Sequence, residues 1–181
     1  MAKDRPVEIV EYDPEWPEVF ADLSAVIGRI LGDLALGIEH VGSTAVPGLC
    51  AKPIIDLYVV ILSRERLPQV VQALSGLGYV HQGDLGIVGR EAFGIVGADV
   101  PRDGRGRLWP EHHLYVCAGD SIELRRHLAF RDALRADPLR AAAYGVLKRQ
   151  LAQQFRDDRD GYCQGKTLFI ESVLRPLGAD T

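Results

Sequence analysis

Glu39-His40-Val41-Gly42-Ser43-Thr44-Ala45-Val46-Pro47-Gly48-Leu49, continued by Lys52-Pro53-Ile54-Ile55-Asp56, reads as strand, turn, loop and strand. Leu36 to Val41 is apolar enough to pair in a sheet, and Gly42-Ser43 breaks it. Pro47-Gly48 and Pro53 stop the loop that follows. Ile54 to Leu62 is then a near-continuous apolar run interrupted mainly by Asp56. An acid inside such a run is costly to desolvate unless a cation or hydrogen-bond donors meet it. A Gly-Ser turn beside it offers backbone donors with little steric cover. Together these features suggest an anion and a metal bound at one end of a sheet.

With 181 residues, 47% hydrophobic and 25% charged, the sequence has the balance of one globular domain with a real core. A formal net charge of −4 argues against general nucleic-acid binding. Cys50, Cys117 and Cys163 are odd in number and lack CxxC spacing. That pattern fits a reducing compartment and neither a disulfide frame nor a zinc knot. Met1 to Pro6 is charged without an apolar core, so no signal peptide is expected, and no apolar run is long enough for a membrane span. A cytoplasmic location is expected.

Outward from the central stretch, Val7 to Tyr12 alternates weakly and predicts a short first strand. Asp13-Pro14 predicts a helix start, and Trp16, Val19, Phe20, Leu23, Val26, Ile27 and Ile30 form its apolar stripe, ending near Gly32. Ser63 to Leu77 predicts a second helix, with Leu67, Val70, Val71 and Leu74 inward. Tyr79 to His81 is a short strand, and Gly83 to Gly97 is expected to hold two extended pieces around Arg90. Pro101 to Arg107 is a polar loop tip. Leu108 to Cys117 is extended, with His113 and Tyr115 on one face and His112, Leu114 and Val116 on the other. From Asp120 onward three helices are expected, started by an Asp120/Glu123 capping box, by Asp137-Pro138 and near Asp157 to Asp160. The fold class is α/β (α+β): one domain over residues 1–181, strand-rich over 1–118 and helical over 119–176.

The chemistry concentrates on few residues. Metal-assisted nucleotidyl transfer needs carboxylate oxygens for a hard cation and donors for phosphates, which Asp56 and Gly42-Ser43 supply by type. Two residues past Asp56, on the same face, stands Tyr58 in place of a carboxylate. Glu39 and His40 are strand neighbours, so only one can join Asp56. His113, sharing a face with Tyr115, suits a ligand or acid-base role. Tyr144/Lys148 and Tyr162/Lys166 are Tyr-x-x-x-Lys pairs that lay a lysine stem on a tyrosine ring, either as packing or to bring both ammoniums to a polyphosphate. Arg90, alone in a glycine-rich span, suits an anion contact. Arg125, Arg126, Arg131 and Arg135 read as a solvated basic face, while His81 and His127 read as structural.

These residues resemble the GrpB family of the nucleotidyltransferase superfamily. The resemblance runs from Tyr12-Asp13-Pro14-Glu15-Trp16 to the last helix. It is carried chiefly by Glu39 to Leu49 with Lys52 to Asp56, then by Gly89-Arg90, His112-His113-Leu114, Arg126 to Asp132 and the lysines of the last two helices. It implies a nucleotidyltransferase-like mixed sheet flanked by helices. By matching position it implies a phosphate role for Gly42 and Ser43 and a metal role for Asp56; Lys52, Arg90, Lys148 and Lys166 are the further candidates for holding the phosphates of a nucleoside triphosphate or another phosphorylated small molecule. Asp56, with Glu39, would hold Mg2+, and His113 would deprotonate an acceptor. Members of the family also occur fused behind dephospho-CoA kinase, though this chain carries no GxxxxGK[ST] loop. Tyr58 departs from the superfamily's second carboxylate, and Tyr115 from a second histidine of a His-Leu-His run. The reading is therefore metal-dependent nucleotidyl transfer to an unknown acceptor. Its rivals are a non-catalytic nucleotide- or CoA-binding module and a metal-dependent hydrolase using Glu39, Asp56 and His113.

Overall fold

The computed structural model describes residues 6–179, so Met1 to Arg5 of the charged N-terminal stretch lie outside the described residues. Its centre is a five-stranded sheet of β1 (Ala35–Val41), β2 (Ile55–Ile61), β3 (Tyr79–Gly83), β4 (Arg90–Ile95) and β5 (His112–Ala118), in the order β1-β2-β5-β4-β3. Only β2 and β5 run parallel; the other neighbours are antiparallel. Parallel strands need a long crossover, and here it contains α2 (Leu67–Gly76) and the β3–β4 hairpin.

Helices cover both faces of this sheet, which is why β2 reads as apolar almost throughout. On one side α1 (Trp16–Leu31) and α2 bury Leu23, Ile27 and Leu74 against Leu57, Val59 and Leu114. On the other, Leu124 and Leu128 of α3 (Ile122–Ala136) pack on Val41, Tyr58 and Cys117. The period of two in a strand thus sends Asp56 and Tyr58 toward the helical half of the chain and Leu57 away from it. That half continues through α4 (Pro138–Gln154), α5 (Arg159–Gly165) and α6 (Thr167–Leu174). Val46 and Leu49 of the β1–β2 loop insert into it, against Leu134 and Tyr144.

Several boundaries differ from those expected. Val7 to Tyr12 forms no strand: its one bridge joins Val10 to Ala51, a loop residue that offers no ladder to extend. The first helix starts at Trp16, not at Asp13-Pro14, because Asp13 accepts the Glu15 amide in a turn at 2.9 Å and Pro17 takes the first helical turn instead. Proline's missing N–H is tolerated only there. The same rule starts α2 at Leu67, before Pro68, with a 3-10 turn over Arg64–Arg66. The glycine-rich span, read as two extended pieces or a hairpin, is the turn and second strand of the β3–β4 hairpin, with Gly83, Gly86 and Gly89 at positive φ and Arg90 as the first residue of β4. Ser121, not Asp120, caps α3 by accepting the Leu124 amide, while Asp137 and Asp158 cap as anticipated. Four helices follow the sheet instead of three, since the chain breaks step at Lys166 between α5 and α6.

A buried relay joins the ends of the β1–β2 loop. The Thr44 hydroxyl donates to the Ile54 carbonyl at 3.3 Å and accepts from His40 Nε2 at 3.0 Å. The His40 ring also stacks on Phe20, 4.5 Å between centroids. Burial, reinforced by Arg135 and Arg131 and opposed by Asp56, pushes its pKa down to about 4 from 6.5. The unfolded chain therefore binds the extra proton between those values, so the neutral ring's stabilisation is complete above pH 6.5 and is lost as pH falls toward 4. Wild-type unfolding free energy should fall by about 3 kcal/mol across that window. His40→Gln, which keeps a donor for Thr44, should flatten the fall when denaturant curves are compared pH by pH.

Candidate functional site

Strand register builds the site. The parallel β2–β5 pairing sets Asp56 opposite His113 and Tyr58 opposite Tyr115, all on the face toward the helical half. Asp56 Oδ1 accepts a hydrogen bond from His113 Nδ1 at 2.8 Å, and each side chain is 29% exposed, open enough to meet a ligand. Binding Nδ1 to a carboxylate fixes the imidazole tautomer and leaves Nε2 as its outward nitrogen. Burial pushes the Asp56 carboxyl up. The hydrogen bond and charge of His113, with the charges of His127 and Lys52, outweigh it and hold the pKa below the usual carboxylate range.

Gly42 ends β1 beside this acid. Its φ of +73° and ψ of −171° belong to a region essentially reserved for glycine, and a Cβ there would lie 2.3 Å from Asp56 Oδ2. Glycine is thus demanded by backbone and by neighbour alike. Ser43 opens the 3-10 turn Ser43–Ala45, with the Ala45 amide returning to the Gly42 carbonyl at 3.3 Å.

Cations surround the pair. The ammoniums of Lys52 and Lys166 lie 5.5 and 4.5 Å from the centroid of the Tyr162 ring. Burial pushes both down, with Arg159 adding repulsion, while the charge of Asp56 draws them back up. Arg90 lays its guanidinium 4.3 Å above the Tyr115 ring, with its Nε buried and without a hydrogen-bond partner. An open cleft of roughly 1110 Å³ adjoins His113, walled by Phe93, Val96, Trp109, Tyr115 and Arg159.

Other expected residues are engaged elsewhere. Glu39, which faces the same way as Tyr58, has its carboxylate on Arg131 at 2.8 Å. His40 faces the opposite core. Lys148 is 2% exposed; its Nζ donates to the Cys50 carbonyl beside the Tyr144 ring, and burial pushes it down to about 7. The two Tyr-x-x-x-Lys pairs therefore diverge: Lys166 is near Asp56, whereas Lys148 ties α4 to the β1–β2 loop.

The basic face of α3 is not simply solvated. Arg131 Nη1 donates to Glu39 and to the His40 carbonyl at 2.9 Å, and Arg135 Nε donates to the Ala45 carbonyl at 2.9 Å. His127, expected to be structural, has Nδ1 3.0 Å from the Glu123 carbonyl oxygen of its own helix and 3.5 Å from the Tyr58 hydroxyl. A spacing of four between Arg131 and Arg135 puts both on one helix face, but nothing local in the sequence shows what that face meets.

These residues do not fit a two-carboxylate magnesium site. Among the described residues no group of three His, Cys, Asp or Glu side chains gathers to hold an ion. Asp56 supplies one carboxylate, already accepting from His113. Tyr58 is fully buried, and burial pushes its phenol pKa up, so it offers no oxyanion. Glu39, expected to join Asp56 at a metal or Asp56 and His113 in a hydrolase, has its carboxylate paired with Arg131.

Gly42→Ala should destabilise the protein by about 2–4 kcal/mol, through glycine-only dihedrals and collision with Asp56. Adding Asp56→Ala should recover part of that loss. Double-mutant analysis of urea unfolding will read the coupling.

Known proteins were then compared with this chain. The sequence model of the family described as GrpB protein matches residues 6–175. UPF0157 protein YqkA from Bacillus subtilis is 36% identical over 169 residues, covering 93% of this chain, which spans 46% of YqkA. A protein named dephospho-CoA kinase from Mycolicibacterium paratuberculosis is 28% identical over 190 residues, 94% of this chain and 46% of its own length. The crystal structure of GrpB from Enterococcus faecalis superposes with a TM-score of 0.78 at 36% identity, covering 93% of this chain and 96% of that one. The Cid1 poly(U) polymerase superposes with a TM-score of 0.51 at 15% identity, covering 80% and 43%, a likeness of fold alone.

Proposed function

The chain belongs to the GrpB family and has a nucleotidyltransferase-like fold, and we propose that it binds a nucleoside triphosphate by its phosphates and transfers the nucleotidyl group to an acceptor hydroxyl. The observation that carries this reading is the 2.8 Å Asp56–His113 pair set against Gly42, with Lys52 and Lys166 close by.

An acid–imidazole pair of this geometry takes a proton at its outward nitrogen while the carboxylate stabilises the resulting charge. The acceptor hydroxyl would attack the α-phosphorus and pass its proton to His113 Nε2. The bond to the bridging oxygen breaks, and pyrophosphate leaves. Lys52 and Lys166, partly withdrawn from water, favour that departing charge more strongly than solvated lysines would. The cleft beside His113 has the volume for an acceptor.

A second reading, a nucleotide- or CoA-binding module without turnover, draws on the buried Tyr58 at the position of the second carboxylate. Incubation with α-labelled triphosphates across a broad acceptor panel, coenzyme A and dephospho-CoA included, separates the two. Pyrophosphate release with label transfer, lost in His113→Ala and Asp56→Asn, supports the enzyme. Binding without either supports the module.

Lysine variants test the assignment of the cations. Lys52→Met and Lys166→Met should each weaken triphosphate binding by tenfold or more in calorimetry. Lys148→Met should change affinity by less than threefold and lower the melting temperature instead, because it strands the Cys50 carbonyl.

A further inference from the structure

We propose that this pocket takes its polyphosphate without a divalent cation, the charge being met by Lys52, Lys166 and the Arg90 guanidinium. This inference rests on the nucleotide-binding reading above.

A magnesium ion bound between protein and triphosphate needs anionic oxygens from the protein side. The site supplies the reverse. On the sheet its acid, Asp56, spends Oδ1 on His113, with Oδ2 in the space that a Cβ at Gly42 would fill; Asp157, Asp158 and Asp160 line the adjoining cleft, Asp158 engaged in capping α5. The position two residues along the same strand face holds Tyr58, fully buried. Of the acids near that face, Glu39 is paired with Arg131 at 2.8 Å and Glu123 lies 3.4 Å from His127.

A guanidinium, not a second carboxylate, stands near Tyr58. Arg90 leaves β4 opposite Cys117 and turns back over Tyr115, whose ring centroid lies 5.2 Å from that of Tyr58 and 6.1 Å from that of His113. Its charge also opposes the upward push of burial on the Tyr58 phenol. Its Nε is a buried donor without a partner, and buried donors are rarely left unmet in a working state. A guanidinium matches phosphate oxygens in a planar fork that an ammonium lacks. A pocket built this way gains affinity when the triphosphate sheds its magnesium, since the ligand then carries more negative charge.

Calorimetry on the full chain decides this, with ATP and with inorganic tripolyphosphate as probes, each in excess EDTA and in millimolar Mg2+. The expected result is binding at least as tight in EDTA as in Mg2+ for both probes. Arg90→Gln should weaken binding in EDTA by tenfold or more, with circular dichroism showing an unchanged fold. Tyr58→Asp, if it folds, should gain tenfold or more from Mg2+. Binding that appears only with Mg2+ overturns this inference and leaves nucleotide binding standing. Unaltered affinity in Arg90→Gln also overturns it, by removing the guanidinium from the pocket. No binding of ATP in either condition overturns the nucleotide reading, and this inference with it.

Discussion

The β1–β2 loop is held at its turns by donors that arrive from the helical half of the chain. Arg135 takes the Ala45 carbonyl and Lys148 the Cys50 carbonyl, while Arg131 takes the His40 carbonyl at the end of β1, just before the loop. Thr44 closes the loop on itself through Ile54, and Val46 and Leu49 bury their side chains among α3 and α4. Backbone carbonyls in an irregular segment have no ladder to satisfy them, so without these donors the segment could not sit this deep. Gly42 belongs to this loop, and so does Lys52. The position of both relative to Asp56 therefore depends on cationic side chains that never touch the site.

This dependence gives the positive charges of the chain two distinct uses. Lys148, Arg131 and Arg135 satisfy carbonyls, and Arg131 also quenches Glu39. Lys52, Lys166 and Arg90 gather on the sheet side near Asp56, while Asp157, Asp158 and Asp160 line the adjoining cleft. A chain with a formal charge of −4 thus gathers local positive charge at the end of its sheet. Such a focus over one small area suits a compact anion better than a long polyanion.

Tyr58 shows how one substitution reshapes a pocket. Its alternation places it on the site face, but its length carries the phenol past the mouth to His127 and Arg90. A carboxylate at the same position would be shorter and charged, and would invite an ion in place of the guanidinium. Packing confirms the difference in use: Tyr58 belongs to the apolar cluster with Val41, Cys117 and Leu124.

Local physics made much of this legible in the sequence. The Gly-Ser break followed by an acid in an apolar run marks the turn and the strand, because only glycine fits the backbone at Gly42 and only a partnered acid survives within β2. The shared face of His113 and Tyr115 follows from strand periodicity, and the caps at Asp137 and Asp158 from side chains that satisfy helix amides. Pairing and distance were decided only by the tertiary structure. The register that sets Asp56 against His113 spans 57 positions of chain, and no local pattern encodes it. The Arg131–Glu39 ion pair spans 92, so a sequence reading assigns Glu39 to a metal and Arg131 to solvent. Lys148 and Lys166 look alike in sequence because each follows a tyrosine by four. They differ because α4 packs one against a carbonyl that must be met, while the break at Lys166 turns the other toward an acid.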